Sequence, residues 1–241
     1  HGGSYLLRKG IFSPLLFIIF VNKRIECRFM RTFLFKIPEN NYEIDKYINS
    51  TDLKYLKPFV GKIRMRKMYG IILQKFVIKL NYNIPYKEIL IKRNAYNKPY
   101  YNNKLFYNLS YSENYIIIAY SQIKPIGIDI QNETEKIANV LMKYGNKPRI
   151  LKNSIGENIK IWTKIESYLK MIGYGLSKLD NIKILSNNNI IDKSTGKKFV
   201  QRDITKYLPE QIWGTITTTY DNDNIVFYNI NIDTVLDELN N

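Results

Sequence analysis

An α+β fold made of two similar halves is what the sequence predicts, and three observations carry that expectation. Hydrophobic residues fill 45% of 241 positions and aromatic ones 14%, which suits a packed core rather than a disordered tail. Apolar residues at helical spacing are followed by period-2 strands and hairpins in the first half of the chain, and again in the second. No low-complexity linker parts the halves, and no short-period repeat is visible.

The elements follow in order. Residues 11–21, IFSPLLFIIFV, form a continuous apolar run too short to span a bilayer as a helix. Arg8 and Lys9 precede it, so residues 1–29 read as a leader outside the fold. MRTFLFKIPEN, from Met30, reads as the first strand. From Asn41 to Tyr82 the spacing turns helical, and NAYNKPY at 94–100 is turn-rich. FYNLSYSENYIIIAYS reads as a hairpin turning at Ser112-Glu113-Asn114. The strand IGIDI, a loose helix, and a strong helix from about Asn158 to Met171 come next. Short strands (NIKIL, KFVQRDI, WGTITTTY, NIVFYNINI) complete the chain. The expected division is a leader at 1–29, an N-terminal half at 30–125 and a C-terminal half at 126–241.

Residue counts restrict the chemistry. The one histidine is His1 and the one cysteine Cys27, which excludes Ser-His-Asp triads, cysteine-rich zinc sites and an internal disulfide framework. Carboxylates, amines, hydroxyls and an oxygen-seeking cation are left. A net charge of +16 asks for a polyanionic or acidic partner, although abundant Lys, Asn, Ile and Tyr would also follow from an AT-rich genome.

Two segments place carboxylates in pattern. In Ile126-Gly127-Ile128-Asp129-Ile130-Gln131, strand alternation puts the isoleucines on one face and Gly127, Asp129 and Gln131 on the other. In IKIWTKIESYLKMIG, Ile161, Ile165, Leu169 and Ile172 form an apolar stripe, with Glu166 and Lys170 at its edge. A cleft rim bearing a metal ligand or base and a phosphate-binding amine fits this spacing. A solvated strand end and a surface Glu–Lys pair fit it equally well.

Taken together, GIDIQ and WTKIESYLKMIGYGL resemble the paired signature of surfactin-type 4′-phosphopantetheinyl transferases. Upstream and in order, Arg66 with Gly70 resembles that family's Arg-x-x-x-Gly helix segment. NKPY resembles its Gly-Lys-Pro loop, and FYNLSYSENYIIIAYS its F-N-[IL]-S-H-S hairpin. The resemblance spans about residues 30 to 235.

It implies a pseudo-twofold α+β fold with coenzyme A in the cleft between the halves. The implied reaction is Mg²⁺-dependent transfer of 4′-phosphopantetheine to a serine of an acidic apo carrier protein of fatty-acid, polyketide or nonribosomal-peptide synthesis. Adenosine 3′,5′-bisphosphate is released. By position Asp129, Glu166 and Gln131 would hold the metal, Glu166 would also take the serine proton, and Lys170 would meet the pyrophosphate. Arg66, Lys98, Pro99, Ser110, Tyr111, Lys54, Lys57 and Lys164 would bind the coenzyme. The expected protein is a cytoplasmic monomer without nucleic-acid or stable membrane partners; organellar targeting by residues 1–29 is the alternative location.

The chain departs from the family pattern in four places. Gln131 stands where a second acid is usual, and Tyr111 replaces the hairpin histidine. Ile165 precedes Glu166 where lysine is usual, with Lys164 one position early. The stretch between Asp129 and Glu166 is short and lacks an aromatic pair. A catalytically impaired carrier-binding homologue and a basic single-strand nucleic-acid-binding protein, its twenty tyrosines stacking on bases, are the competing readings.

Overall fold

A computed structural model describes residues 29–40, 42–132, 154–185, 190–219 and 224–241. The expected leader, apart from Phe29, and the loose helix expected after IGIDI lie outside the described residues. The α+β class holds. Strand β1 (Phe29–Lys36) is central to a sheet with β4 (Phe106–Ser112), β5 (Tyr115–Ser121) and β11 (Asn224–Ile230), in the order β11-β1-β5-β4. A second sheet joins β6 (Gly127–Asn132), β10 (Ile212–Thr218) and β9 (Val200–Asp203), all antiparallel. Short pairs complete the strands: β2 (Lys92–Arg93) with β3 (Pro99–Tyr100), and β7 (Ile182–Ile184) with β8 (Ile190–Asp192).

Strand alternation sorts side chains between cores. Phe33, Phe35, Ile116 and Ile118 face helix α2 (Gly61–Tyr82), whereas Leu34, Ile117 and Ala119 face the second sheet. Ile126, Ile128 and Ile130 enter that inter-sheet core, so the two-faced reading of β6 is correct. Helix α2 is buried all round from Met68 to Lys79, which is why its sequence shows no clean apolar stripe. Helix α1 (Ser50–Leu56) starts from an Asn49–Asp52 capping box, and Ser154 with Glu157 forms another for α3 (Ile155–Ile172). Glu113, in the left-handed region at φ 47°, turns the β4–β5 hairpin where expected.

The end of the chain returns to the first sheet. β11 pairs in parallel with β1, and helix α4 (Ile232–Asn240) buries Ile232, Val235 and Leu239 in the core built on α2. This segment therefore joins the sheet of β1, while Ile225 and Phe227 on the other face of β11 pack against the inter-sheet core. The reason is local: β1 has a free edge beside α2, and the amphipathic α4 has an apolar stripe to bury there. Tyr47, Tyr69, Tyr107, Tyr120 and Tyr168 are buried core residues.

Below the first core lies an ion pair. Lys75 Nζ sits 2.7 Å from Asp52 Oδ2, with side chains 1% and 4% exposed, and donates to the Tyr47 carbonyl at 2.6 Å. Removing one partner of such a pair strands the other charge, at a cost of about 3–5 kcal/mol. Lys75→Met should lose that much stability in urea titration, and adding Asp52→Asn, which removes the charge and keeps the cap, should recover part of it. A loss below about 1 kcal/mol would mean that Asp52 finds water instead.

Candidate active site

The strands and α3 converge on a polar seam. β4 and β6 are the edges of their sheets, and they meet through side chains rather than a ladder. Ser110 Oγ, from β4, donates to Asp129 Oδ1 at 2.7 Å and accepts from the Ile130 amide at 3.1 Å. Lys170, near the end of α3, donates to Asp129 Oδ1 at 2.6 Å and to Ser110 Oγ at 2.9 Å. Asn108 reaches the Lys170 carbonyl at 3.2 Å. Asp129 Oδ2 is buried without a hydrogen-bond partner.

Gly127 makes this approach possible. A Cβ there would collide with the Ser167 carbonyl and come within 2.7 Å of the Met171 amide, so only glycine lets β6 lie against α3. Ser167 and Thr163 hold the other side of the contact, bonding the hydroxyls of Thr217 at 2.6 Å and Thr215 at 2.9 Å. Asp129, two positions beyond Gly127, thereby arrives beside Lys170.

Next to the seam, a cavity of about 340 Å³ opens between α2, β4 and the end of α3. Lys67, Arg93, Lys98 and Lys170 line it together with Glu166 and Tyr111. Arg93 is held in place, its guanidinium 3.5 Å from the centre of the Tyr55 ring and donating to the Asn97 carbonyl at 3.3 Å. Lys67 Nζ stands 4.4 Å over the Tyr111 ring. Burial first, then Arg66, Lys170 and Arg93, push the Lys67 ammonium below its ordinary pKa. Burial likewise pulls Lys98 down to about 8. The Glu166 carboxyl moves the other way: burial raises it, Asp129 adds to the rise and Lys170 opposes it. A carboxyl so displaced is a stronger base than an ordinary glutamate and a candidate proton acceptor.

The structure brings some of the expected residues together and leaves others apart. Asp129 and Lys170 meet, and Glu166 lies within their electrostatic reach; Lys98, Pro99 and Tyr111 line the cavity with Glu166 and Lys170. Lys98 nevertheless donates to the Met171 carbonyl at 2.6 Å, closing the end of α3. Asn97, where the family loop has glycine, sits at φ 63°, a conformation that Asn tolerates well. Gly70 packs against the Tyr111 hydroxyl, so the helix segment and the hairpin expected from their motifs are in contact. Arg66 lies 5.6 Å over the Tyr111 ring but outside the cavity lining. Lys54 and Lys57 are exposed and outside it too, as is the half-buried Lys164. Gln131 is half-buried on β6, its amide 3.5 Å from Asn132 Oδ1.

Sequence reasoning missed Lys67, Arg93 and the buried Gln74, all of which line the cavity. Lys67 had a signal: it follows Arg66 on a helix, where one residue is a rotation of about 100°. Arg93 had none, because its position depends on the contact with Tyr55.

The residues fit a hard divalent cation in one limited sense. Asp129 Oδ2 is an orphaned carboxylate oxygen, and Glu166 is near enough to feel its charge. Among the described residues no group of three or more His, Cys, Asp or Glu gathers to hold a metal. Mg²⁺ commonly takes one or two carboxylates and fills its remaining positions with water and substrate phosphates, so this pair is compatible with it.

Among proteins of known name, the chain is similar to the 4′-phosphopantetheinyl transferase gsp of Aneurinibacillus migulanus. Identity is 26% over 201 residues, covering 74% of this chain and 80% of that protein. No family model matches this chain. Similarity to a transferase over most of both chains agrees with the motif resemblance, and the ordered motifs fall on elements that converge at the cavity.

The seam gives a direct test of Gly127. Overpacking a tight contact costs about 1–3 kcal/mol, and Gly127→Ala should lose that much stability while prising Asp129 from Lys170. Gly156→Ala is the control, since its Cβ would meet only Trp213 at 3.6 Å within a helix that favours alanine. Equal thermal unfolding of both variants would refute the close-approach role of Gly127.

Proposed function

We propose that this protein transfers the 4′-phosphopantetheine group of coenzyme A to a serine hydroxyl of an apo carrier protein, releasing adenosine 3′,5′-bisphosphate. The single observation that carries the reading is the pairing of a cation-lined cavity with an adjacent, desolvated Asp129–Glu166 carboxylate pair. Phosphoryl-type transfer from a pyrophosphate needs positioning and charge neutralisation more than a covalent nucleophile. The cavity supplies both without histidine.

In this reading Lys67, Arg93 and Lys170 bind the phosphates of the donor, and Arg93 is already oriented by Tyr55. Glu166 accepts the proton of the carrier serine, directly or through a water. The serine oxygen bonds to the phosphorus on the pantetheine side, and the bond from that phosphorus to the bridging oxygen breaks. The electron pair leaves on the nucleotide phosphate. Asp129 Oδ2 and Glu166 are the groups that would hold Mg²⁺, which when bound would neutralise pyrophosphate oxygens. The long helix on strands in each part of the fold, α2 and α3, supports a pseudo-twofold relation between them. A net charge of +16 suits an acidic carrier.

The test is incubation with coenzyme A, Mg²⁺ and a panel of apo carriers, read by intact mass. The parent protein should add one phosphopantetheine to at least one carrier, and a panel left unmodified would overturn the reading. Asp129→Asn and Glu166→Gln should each slow transfer by about 10²–10⁴-fold with the fold intact, the range typical for loss of a positioned base. Near-parent turnover in either variant would remove that residue from the site. Lys67→Met and Arg93→Met should raise KM for coenzyme A about tenfold each with kcat nearly unchanged, because a hydrogen bond to a charged group is worth about 1.5–3 kcal/mol.

A further inference from the structure

The hydroxyl of Ser110 has no capacity left for a ligand. A serine offers one O–H donor and two lone pairs. The donor goes to Asp129 Oδ1 at 2.7 Å, and the lone pairs accept from Lys170 Nζ at 2.9 Å and the Ile130 amide at 3.1 Å. Ser110 is 2% exposed and, like Asp129 behind it, absent from the cavity lining, although Leu109 and Tyr111 on either side of it line the cavity. A phosphate oxygen brings only lone pairs, so binding one would take the O–H away from Asp129 and leave Oδ1 with Lys170 alone.

The geometry points to Ser110 as a positioning residue, one that sets which oxygen of Asp129 is left without a partner. The terminal torsion of an aspartate is broad and roughly two-fold, so a lone lysine partner would let the two oxygens exchange. Ser110 and Lys170 grip the same oxygen from two sides, and the Ile130 amide anchors Ser110 to the edge of β6. Oδ2 is thereby held apart, buried and without a partner. It is the atom presented to a divalent cation, and Ser110 acts on that cation only through Asp129. The inference rests on the proposed function for what the cation serves, but not for whether it binds.

Mn²⁺ binding, followed by the loss of the free-ion paramagnetic resonance signal, tests this without turnover. The measurements are made with coenzyme A present and no carrier. Ser110→Ala should weaken Mn²⁺ binding about tenfold, and Ser110→Thr, which keeps the hydroxyl, should restore it. Affinity for coenzyme A measured without metal should change less than twofold in both. A donor-binding serine gives the opposite split: metal-free coenzyme A affinity falls and Mn²⁺ affinity holds, which overturns the inference. Absence of Mn²⁺ binding by the parent protein overturns it as well. If Ser110→Ala fails to fold, Ser110→Cys keeps the volume with a weak donor and carries the same expectation as Ala. Failure of the transferase reading looks different again: no carrier is modified, while Mn²⁺ binding still depends on Ser110.

Discussion

The contact between Lys170 and Asp129, 2.6 Å long with side chains 28% and 5% exposed, is the constraint to which the rest of the site answers. Two sheet edges that share no ladder meet beside it, so side chains must satisfy the backbone there, and Ser110 does so for Ile130. Gly127 is required because Asp129 reaches Lys170 only if β6 lies against α3. The hydroxyl pairs Thr163–Thr215 and Ser167–Thr217 are required for the same reason, since helix and strand this close leave little room for larger apolar groups. The cavity sits at the seam because the last turn of α3, which carries Lys170, also forms its wall.

The fold holds a second buried lysine–aspartate pair, and the contrast separates structural from chemical use of the same two residue types. Asp52 accepts from Lys75 and from the Asn49 amide through one oxygen, and its pair is sealed among core residues. Asp129 has one oxygen held by Lys170 and Ser110 and the other free. A buried charge pair is weak ground for stability, because desolvation offsets much of the attraction. A buried, unpartnered carboxylate oxygen beside such a pair adds a further desolvation cost that packing alone does not return. Its presence beside a cation-lined cavity is better explained by a ligand than by the core.

Much of this is legible in the chain, and the failures have physical causes. The hairpin of β4 and β5, the alternation of β6 and the span of α3 follow from local periodicity and capping, which sequence carries directly. The pairing of β11 with β1 brings together Asn224 and Phe29, and no local pattern encodes so distant a partner. Helix α4 escapes a sequence reading because a nine-residue amphipathic segment after a strand looks like a polar tail until there is a core to receive it. At the site, motif order locates Asp129, Glu166 and Lys170. It also directs attention to the hydroxyl of Ser110 as a ligand group, because a motif gives position and not the direction in which hydrogen bonds are spent.

The charges of the cavity also explain how a rigid site favours an anion before one arrives. Burial lowers the Lys67 pKa most, and nearby Arg66, Lys170 and Arg93 each lower it further. The cations have little freedom to separate. Lys67 directly precedes a stretch of α2 buried from Met68 to Lys79, Arg93 is stacked on Tyr55, and Lys170 is bound to Asp129. The fold therefore bears their mutual repulsion in the absence of ligand. A polyphosphate placed among them supplies the missing opposite charge, so binding relieves repulsion as well as forming hydrogen bonds. By linkage it also raises the Lys67 pKa back toward its ordinary value, since it stabilises the charged form. Glu166 is displaced in the opposite sense by the same burial, toward a stronger base. One desolvated chamber thus adjusts both partners of the chemistry, the cations that receive an anion and the carboxylate that receives a proton.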